Sequence, residues 1–258
     1  FNLLSPSYFN FLKIYIIGSI LFFIIGVLED FFDISNLKKL ILQFIVASFI
    51  WLQGLRLEYI NFPFIKNLNL FDTYPIISLL ITVFWIVGIV NAFNWLDGLD
   101  GLACGSSIIF CSGYFLFFIS TGNLSDLMII GIFITSSFGF LIHNFYPAKI
   151  FMGDSGSYLV GSIIAFFSIR SEILISSQNP NYVSFLAQFI ILFLPIFDMT
   201  LVILIRILKG KSPFNADRHH LHHRLIDLGL SHKNTVLFFY FMNIISCVIG
   251  TNFMNLQI

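Results

Sequence analysis

Long apolar stretches, separated by short polar clusters, follow one another along the whole chain. They predict eight membrane-spanning helices, at residues 14–28, 40–54, 74–96, 101–125, 127–148, 155–169, 173–197 and 234–258. A helix needs about 20 apolar residues to cross the hydrocarbon core of a bilayer, and five of the eight stretches are longer than that. The three shorter stretches can still span if their polar flanks lie at the headgroup level or face a cavity within the protein.

The composition supports this prediction. Of the 258 residues, 58% are hydrophobic and only 10% are charged, whereas soluble domains carry about 25% charged residues. The thirteen basic and thirteen acidic side chains cancel, which excludes a nucleic-acid-binding protein with a basic excess. We therefore expect an all-α integral membrane protein, a bundle of about eight transmembrane helices that forms one polytopic domain over residues 1–258.

Basic residues are divided unequally between the two sets of loops. The stretches at about 29–39, 97–101, 149–154 and 206–233 hold nine of the thirteen Lys and Arg residues. Because short loops rich in Lys and Arg stay in the cytoplasm, we predict that these four stretches are cytoplasmic. They also hold most of the carboxylates and five of the six histidines, so the chemistry is expected on that side of the membrane.

The first polar cluster lies at the junction of two predicted spans and contains Asn91, Asn94, Asp97 and Asp100. The last three are spaced three residues apart and share one face if the helix continues. A polar cap between two helices is the alternative, but a cap needs only one such side chain. Ionisable groups at the membrane indicate a functional site.

The second cluster, FMGDSGS at residues 151–157, places Asp154 directly before an apolar helix. The free amides of a helix N-terminus suit a phosphate. A carboxylate suits the hard cation that accompanies phosphates. An ordinary N-cap is the alternative interpretation.

The third cluster, Glu29, Asp30 and Asp33, ends the first predicted span. Neighbouring carboxylates point in different directions from a helix, so one can bind a metal or a partner group while the other acts as a base. Like charges this close also raise one of the two pKa values. A solvated loop that caps the next helix is the alternative.

The fourth cluster, RHHLHHR at residues 218–224, lies in the longest predicted cytoplasmic loop. Imidazoles with helical spacing can bind zinc, whereas arginines and histidines together can donate hydrogen bonds to a phosphate or a pyrophosphate. No cysteine is nearby and the arginines would repel a metal dication, so phosphate binding is favoured over zinc and over a solvated loop. Asp198, after Pro195, is expected either to face the site or to make a structural hydrogen bond.

Carboxylates, a helix N-terminus and an Arg/His cluster on one side of a membrane are typical of phosphoryl transfer. In that chemistry a protein mainly positions its substrates and neutralises their charge. Oxygen ligands favour Mg²⁺. A site at the membrane surface implies that one substrate is a lipid.

Four segments carry a resemblance to a known family: LEDFFDISNLKKLILQFIVA, NAFNWLDGLDGLACG, FMGDSGSYLVG and SPFNADRHHLHHRL, in this order. Over about residues 26–230 the chain resembles the polyprenyl-phosphate N-acetylhexosamine-1-phosphate transferases (glycosyltransferase family 4, MraY/WecA-like), and the histidine loop is similar to that of the WecA-like branch. The resemblance implies that undecaprenyl phosphate attacks a UDP-N-acetylhexosamine. UMP is released and a lipid-linked diphosphate sugar is formed for a cell-envelope polysaccharide.

The resemblance also implies roles for individual residues. Asp154 and Asn94 would ligate Mg²⁺, with Mn²⁺ as an alternative metal. The catalytic role would fall to four acids, two beside the lipid phosphate and two in the nucleotide pocket: Glu29 and Asp30, and Asp97 and Asp100. The residues that bind the nucleotide and phosphates would be Asn91, Phe151, Arg218, His219, His220, His222 and His223.

The family usually has ten or eleven helices. Because the chain starts at Phe1 rather than Met, we expect it to lack N-terminal helices of that fold. Glu29 stands where the family has Asp, so a catalytically impaired paralogue is one alternative. A membrane binding or transport protein is another, although acids near span centres and an internal repeat, which a transporter would show, are not visible. The resemblance implies a multi-pass protein of the bacterial inner membrane, with its site facing the cytoplasm, and is compatible with a homodimer.

Overall fold

The computed structural model describes residues 6–32, 34–62, 65–178, 185–212 and 220–256. Its helices are α1 Pro6–Phe32, α2 Asn36–Leu52, α3 Leu70–Thr73, α4 Pro75–Leu96, α5 Leu102–Ser120, α6 Leu124–Asn144, α7 Gly153–Gln178, α8 Phe185–Ile191, α9 Phe193–Leu208, α10 Leu221–Asp227 and α11 His232–Asn255. A short antiparallel hairpin of β1 Tyr59–Phe62 and β2 Ile65–Asn69 joins α2 to α3. The predicted all-α membrane architecture is therefore confirmed, with one small hairpin added to it.

By length and composition, fewer than the eight predicted helices qualify as membrane spans. Within the described residues, six helices (α1, α4, α5, α6, α7 and α11) are long and apolar enough to cross a membrane. The pair α8 and α9, bent by 80° at Leu192, makes a seventh if it is one span. The second predicted span, residues 40–54, corresponds to α2, whose 17 residues rise only about 25 Å, less than the roughly 30 Å of a hydrocarbon core.

The prediction of a loop at residues 170–172 is wrong. Helix α7 runs through these residues without a break to Gln178. Arg170 does not leave the bundle, because its Nε donates to Asp126 Oδ2 on α6 at 2.9 Å, and Glu172 is buried as well. A paired charge can remain inside a helical bundle, so these charges do not mark the end of a span.

Helix α7 lies at the centre of the bundle and packs against α1, α4 and α5. Gly26 on α1 allows its closest approach, since a Cβ there would lie 2.3 Å from the Ser155 Cα. Gly161 on α7 allows a similarly close approach to α4, since a Cβ there would lie 2.8 Å from the Val90 Cα. These contacts bring the end of α1, the end of α4 and the start of α7 together at one end of the bundle, which we call the motif end.

The hairpin lies at the opposite end, where α2 ends and α4 begins. The chain before it is held by hydrogen bonds to α4: Leu57 N–H donates to Thr82 Oγ1 at 3.0 Å, and Ser78 Oγ donates to the Leu57 carbonyl at 2.6 Å. The Arg56 guanidinium lies 3.3 Å from the centre of the Phe71 ring. These contacts fix the fold at this end.

Candidate functional site

The first and second polar clusters meet at the motif end. Asn94, in the last turn of α4, donates from Nδ2 to Asp154 Oδ1 at 2.6 Å and to Ser157 Oγ at 3.0 Å, both on α7. The pair assigned to the metal, Asn94 and Asp154, is thus brought together across 60 residues of sequence. Because Asn94 donates with its amide nitrogen, its carbonyl oxygen is the atom that could ligate a cation.

Asp30 caps the start of α7 from the neighbouring helix. Its Oδ1 accepts from the Asp154 N–H at 2.9 Å and its Oδ2 accepts from the Ser155 N–H at 3.0 Å. Gly153 has φ +66° and a Cβ there would lie 3.1 Å from Asp30 Oδ2, so a glycine suits this turn. These two amides were expected to be free for a phosphate, and the structure shows that a carboxylate of the protein binds them instead.

Glu29, one residue earlier, points elsewhere. Its Oε1 accepts from Lys39 Nζ on α2 at 3.2 Å, and both side chains are about 15% exposed. Among the described residues its buried Oε2 has no hydrogen-bond partner. The adjacent carboxylates thus take different partners, as predicted, while Asp33 lies outside the described residues.

Asn91 is hydrogen-bonded to a residue that the sequence analysis did not single out. Its Nδ2 donates to Gln43 Oε1 at 2.6 Å, and Gln43 is completely buried on α2. Lys39 and Gln43 lie four residues apart and so share one face of α2. Gln43 interrupts an apolar stretch at helical spacing from Lys39, and this was the signal that could have identified the pair.

Asp97 and Asp100 follow α4 and differ in their surroundings. Asp100 Oδ2 accepts from the Ala148 N–H at 3.0 Å, and the Asp100 N–H donates to His232 Nε2 at 2.9 Å. The pKa of Asp97 is raised from 3.8 to about 7, mainly by burial and then by the nearby carboxylates of Asp154 and Asp100. A nearby cation would therefore stabilise the ionised form of the Asp97 carboxylate.

The loop before α7 exposes an aromatic ring. Phe151 is 76% exposed beside the site. Asn144, at the end of α6, is buried and donates from Nδ2 to the Ile150 carbonyl at 2.9 Å. This contact fixes the backbone that precedes Phe151, so the exposed ring stands on an anchored loop.

The histidine cluster is partly described. Arg218 and His219 lie outside the described residues, whereas His220 precedes α10 and His222 and His223 lie on it. His220 Nδ1 is hydrogen-bonded to Asp198 Oδ2 on α9 at 2.8 Å. Of the two alternatives for Asp198, the structure shows the structural hydrogen bond.

His222 is buried and its ring lies against Gly98, where a Cβ would fall 2.4 Å from Nε2. Burial first, and then the adjacent His223, lower the pKa of His222 well below its usual value, so this imidazole is neutral at pH 7. Within the described ranges no three His, Cys, Asp or Glu side chains are arranged to hold a metal ion. The zinc hypothesis therefore gains no support from the part of the cluster that is described.

An apolar groove of about 330 Å³ adjoins these residues, between α2, α4 and α9. Its apolar lining includes Phe44, Phe84, Val87, Trp95, Met199 and Ile203. At the motif end its lining becomes polar, with Asn36, Lys39 and Asn91. We call it the α2–α4–α9 groove. It can hold an apolar chain and place a polar head beside Lys39, which also contacts Glu29.

Comparison with known proteins identifies relatives of the chain. A Bacillus subtilis protein, a probable undecaprenyl-phosphate N-acetylglucosaminyl 1-phosphate transferase, is 40% identical over 89% of this chain and 62% of its own length. A Mycobacterium leprae decaprenyl-phosphate N-acetylglucosaminephosphotransferase is 36% identical over 84% and 58%. A Staphylococcus carnosus phospho-N-acetylmuramoyl-pentapeptide-transferase is 31% identical over 91% and 71%. The chain therefore spans about 60% of the length of the first two relatives.

The family model for glycosyl transferase family 4 matches residues 12–172. This range includes Glu29 and Asp30, the Asn91–Asp100 cluster and Asp154, which the structure gathers at the motif end. The predicted resemblance is confirmed. This membrane protein belongs to glycosyl transferase family 4.

Proposed function

We propose that the protein transfers an N-acetylhexosamine-1-phosphate from a UDP-sugar to a polyprenyl phosphate, with undecaprenyl phosphate as the lipid. One observation carries the proposal: the α2–α4–α9 groove ends at Lys39 and Asn91, next to the carboxylates of the motif end. An apolar chain and a charged headgroup fit such a groove in that order. The names of the relatives support prenyl phosphate as acceptor and make N-acetylglucosamine the first sugar to test.

In this reaction an oxygen of the lipid phosphate attacks the phosphorus that carries the sugar. A new P–O bond joins the two phosphates, and the bond from that phosphorus to the bridging oxygen breaks. UMP leaves with the bridging oxygen, and the product is a lipid diphosphate sugar. This displacement needs no covalent bond to the protein. The protein has to align the two phosphates and balance their charge.

The residues at the motif end fit a Mg²⁺ ion that is shared with the substrate. Mg²⁺ is usually held by one or two carboxylates together with substrate phosphates and water. Asp154, with the carbonyl oxygen of Asn94, would hold it, and the half-buried Asp97 would add charge nearby. When bound, Mg²⁺ neutralises the negative charge of the diphosphate.

Glu29 is the better candidate to accept a proton from the lipid phosphate. Both carboxylate oxygens of Asp30 accept backbone amides, whereas Glu29 Oε2 has no partner among the described residues. Lys39 would contact both Glu29 and the incoming phosphate and help to neutralise it. Asp30 would then act by fixing the start of α7, and with it Asp154.

The nucleotide would lie on the far side of Asp154 from the groove. Phe151 offers an exposed ring for the base. The histidines of the cluster, His219, His220, His222 and His223, remain the predicted partners of the phosphates together with Arg218. We further infer that the motif end faces the cytoplasm of a bacterial inner membrane, as the distribution of Lys and Arg predicts.

The direct test is UMP release by membranes that contain the full-length protein. They receive undecaprenyl phosphate, Mg²⁺ and a panel of UDP-N-acetylhexosamines, and each component is left out in turn. We expect release that requires both the lipid and one UDP-sugar. No release with any sugar, from protein shown to be folded and inserted, would contradict the proposal and favour an impaired paralogue.

Filling the groove is expected to weaken lipid binding selectively. Gly88 on α4 lines the groove, and a Cβ there would meet only the Met199 side chain, at 3.9 Å. Gly88→Phe would displace one or two methylenes of the lipid, each worth about 0.8 kcal/mol, and raise the KM for the lipid roughly tenfold. Gly139→Phe is the matched control, because nothing lies within 4 Å of a Cβ at this exposed position of α6. Equal changes in KM for lipid and UDP-sugar would contradict the groove assignment.

The affinity for Mg²⁺ is expected to depend on pH. The pKa of Asp97 is about 7 without a cation, so below pH 7 a cation must compete with a proton for the charge of this carboxylate. Affinity should fall up to about tenfold per pH unit below 7 and level off above it. Calorimetric titration with Mg²⁺ at pH 5.5, 6.5 and 7.5 measures this, and Asp97→Asn should flatten the dependence. A wild-type affinity that is constant over this range would exclude the linkage.

A further inference from the structure

Asp198 makes two strong contacts outside its own helix. It is buried on α9, its Oδ2 lies 2.8 Å from His220 Nδ1, and its Oδ1 accepts from the Leu221 N–H at 2.7 Å. An ionised carboxylate is only an acceptor. With such a carboxylate, the Nδ1–H of His220 donates this hydrogen bond, and the contact fixes the orientation of the ring.

The second contact places Asp198 at the start of α10. Leu221 is the first residue of that helix, and its amide has no acceptor within the helix. Because α10 has only seven residues, it is too short to be stable alone. Asp198 thus supplies, from α9, a cap that α10 does not obtain from its own preceding side chain.

This anchored segment contacts the last turn of α4 and the loop that follows it. The His220 ring makes an edge contact with the Trp95 ring of α4, with centroids 5.6 Å apart, and the guanidinium of Arg206 lies 4.8 Å from the centre of the same Trp95 ring. One residue after Asp97, Gly98 accommodates the His222 ring. The histidine segment is therefore held against the same loop that carries Asp97.

The other acids of the motif end show the same division of roles. Asp30 and Asp100 also bind backbone amides of separate segments, those of α7 and of Ala148. Within the part of the chain that the structure describes, the carboxylates of Asp154 and Asp97 accept no backbone amide, and Asp154 accepts only the side-chain amide of Asn94. Acids that bind amides hold segments in place, and those that do not are the ones left for a cation and phosphates.

We propose that Asp198 is a positioning residue of the transferase, which fixes His220 and docks α10 against the α4–α5 loop. Its effect on turnover rests on the function proposed above. Its effect on the docking of α10 does not. The carboxylate touches no substrate in this role and acts through His220 and the amide of Leu221.

Asp198→Asn is the sharpest substitution, since asparagine has the same size but only one acceptor. Its NH₂ group is a donor and would face either the Nδ1–H of His220 or the Leu221 N–H, which are donors as well. One of the two hydrogen bonds is therefore lost. We expect kcat for UMP release to fall about 10- to 100-fold, as for other residues that orient an active group. Asp227→Asn, an exposed Asp on α10 itself, is the matched control and should keep the wild-type kcat.

A double variant separates positioning from general damage. In a His220→Ala background, Asp198→Asn should cost little further activity, because the substituted amide can turn its oxygen to the Leu221 N–H and the His220 ring that its NH₂ group would oppose is gone. Losses that multiply in the double variant would overturn the proposal. So would a wild-type kcat in Asp198→Asn.

Hydrogen–deuterium exchange tests the docking without any turnover. In Asp198→Asn the amides of residues 221–227 should exchange at least tenfold faster, while those of α4 and α9 keep their wild-type rates. Unchanged exchange in residues 221–227 would overturn the proposal, and faster exchange throughout α9 would show that the variant has lost its fold locally and overturn it as well. If the wild-type protein releases no UMP, the proposed function fails, and this exchange measurement still decides whether Asp198 anchors α10.

Discussion

Asp154→Asn is expected to lower UMP release on the order of a thousandfold, about 4 kcal/mol in the activation free energy. The substitution removes the charge that would hold Mg²⁺, beside an Asp97 that is already difficult to ionise. It leaves the backbone amide of residue 154, which Asp30 caps, untouched. The loss should therefore appear in turnover and in Mg²⁺ affinity rather than in folding.

Initial rates at saturating lipid and UDP-sugar, measured over a range of Mg²⁺ concentrations, test this expectation. The control is Asp227→Asn, which makes the same chemical change at an exposed position of α10. Thermal unfolding in detergent shows whether each variant is folded. A folded Asp154→Asn protein that retains more than a tenth of the wild-type rate at high Mg²⁺ would remove Asp154 from the metal site.

The sequence predicts the grouping of the polar clusters well. Each cluster lies at the end of an apolar stretch, and alternating spans bring such ends to the same side of a membrane. Position along a span thus indicates which clusters lie at the same end of the bundle. The pairing of Asn94 with Asp154 within that group was implied by the resemblance to the family, and the two side chains are hydrogen-bonded in the structure.

The partners of the individual acids could not be predicted in this way. Asp30 and Asp198 each cap a helix that comes more than 20 residues later in the chain. Such caps depend on how closely the helices pack, for example on the contact that Gly26 allows. Lys39 and Gln43 were overlooked for a related reason, because their polarity is explained only once α1 and α4 are seen beside α2.

The prediction of spans failed where charge was taken as the end of a helix. Arg170 and Glu172 interrupt an apolar stretch in the sequence, yet α7 continues through both. The burial of an ion depends on its partner, and the partner of Arg170 lies 44 residues earlier on α6. Hydropathy along one segment carries no information about such a pair.

Arg170→Met tests how much the bundle depends on this ion pair. The side chains of Arg170 and Asp126 are only 13% and 3% exposed, and the guanidinium also lies 4.0 Å from the Phe11 ring of α1. Removing the arginine leaves the Asp126 charge buried without its partner, so we expect the free energy of unfolding to fall by about 3–5 kcal/mol. Equilibrium unfolding in mixed micelles, followed by circular dichroism, measures the change.

The double variant Asp126→Leu/Arg170→Met distinguishes the unpaired charge from the loss of packing. It should recover most of the stability that Arg170→Met loses, because apolar side chains of similar volume replace a buried ion pair at little cost or with a gain. Lys233→Met, which removes an exposed cation at the start of α11, should change stability by less than about 0.5 kcal/mol. If the double variant is as unstable as Arg170→Met, the packing of Arg170 on Phe11, and not its charge, holds α7 to α1.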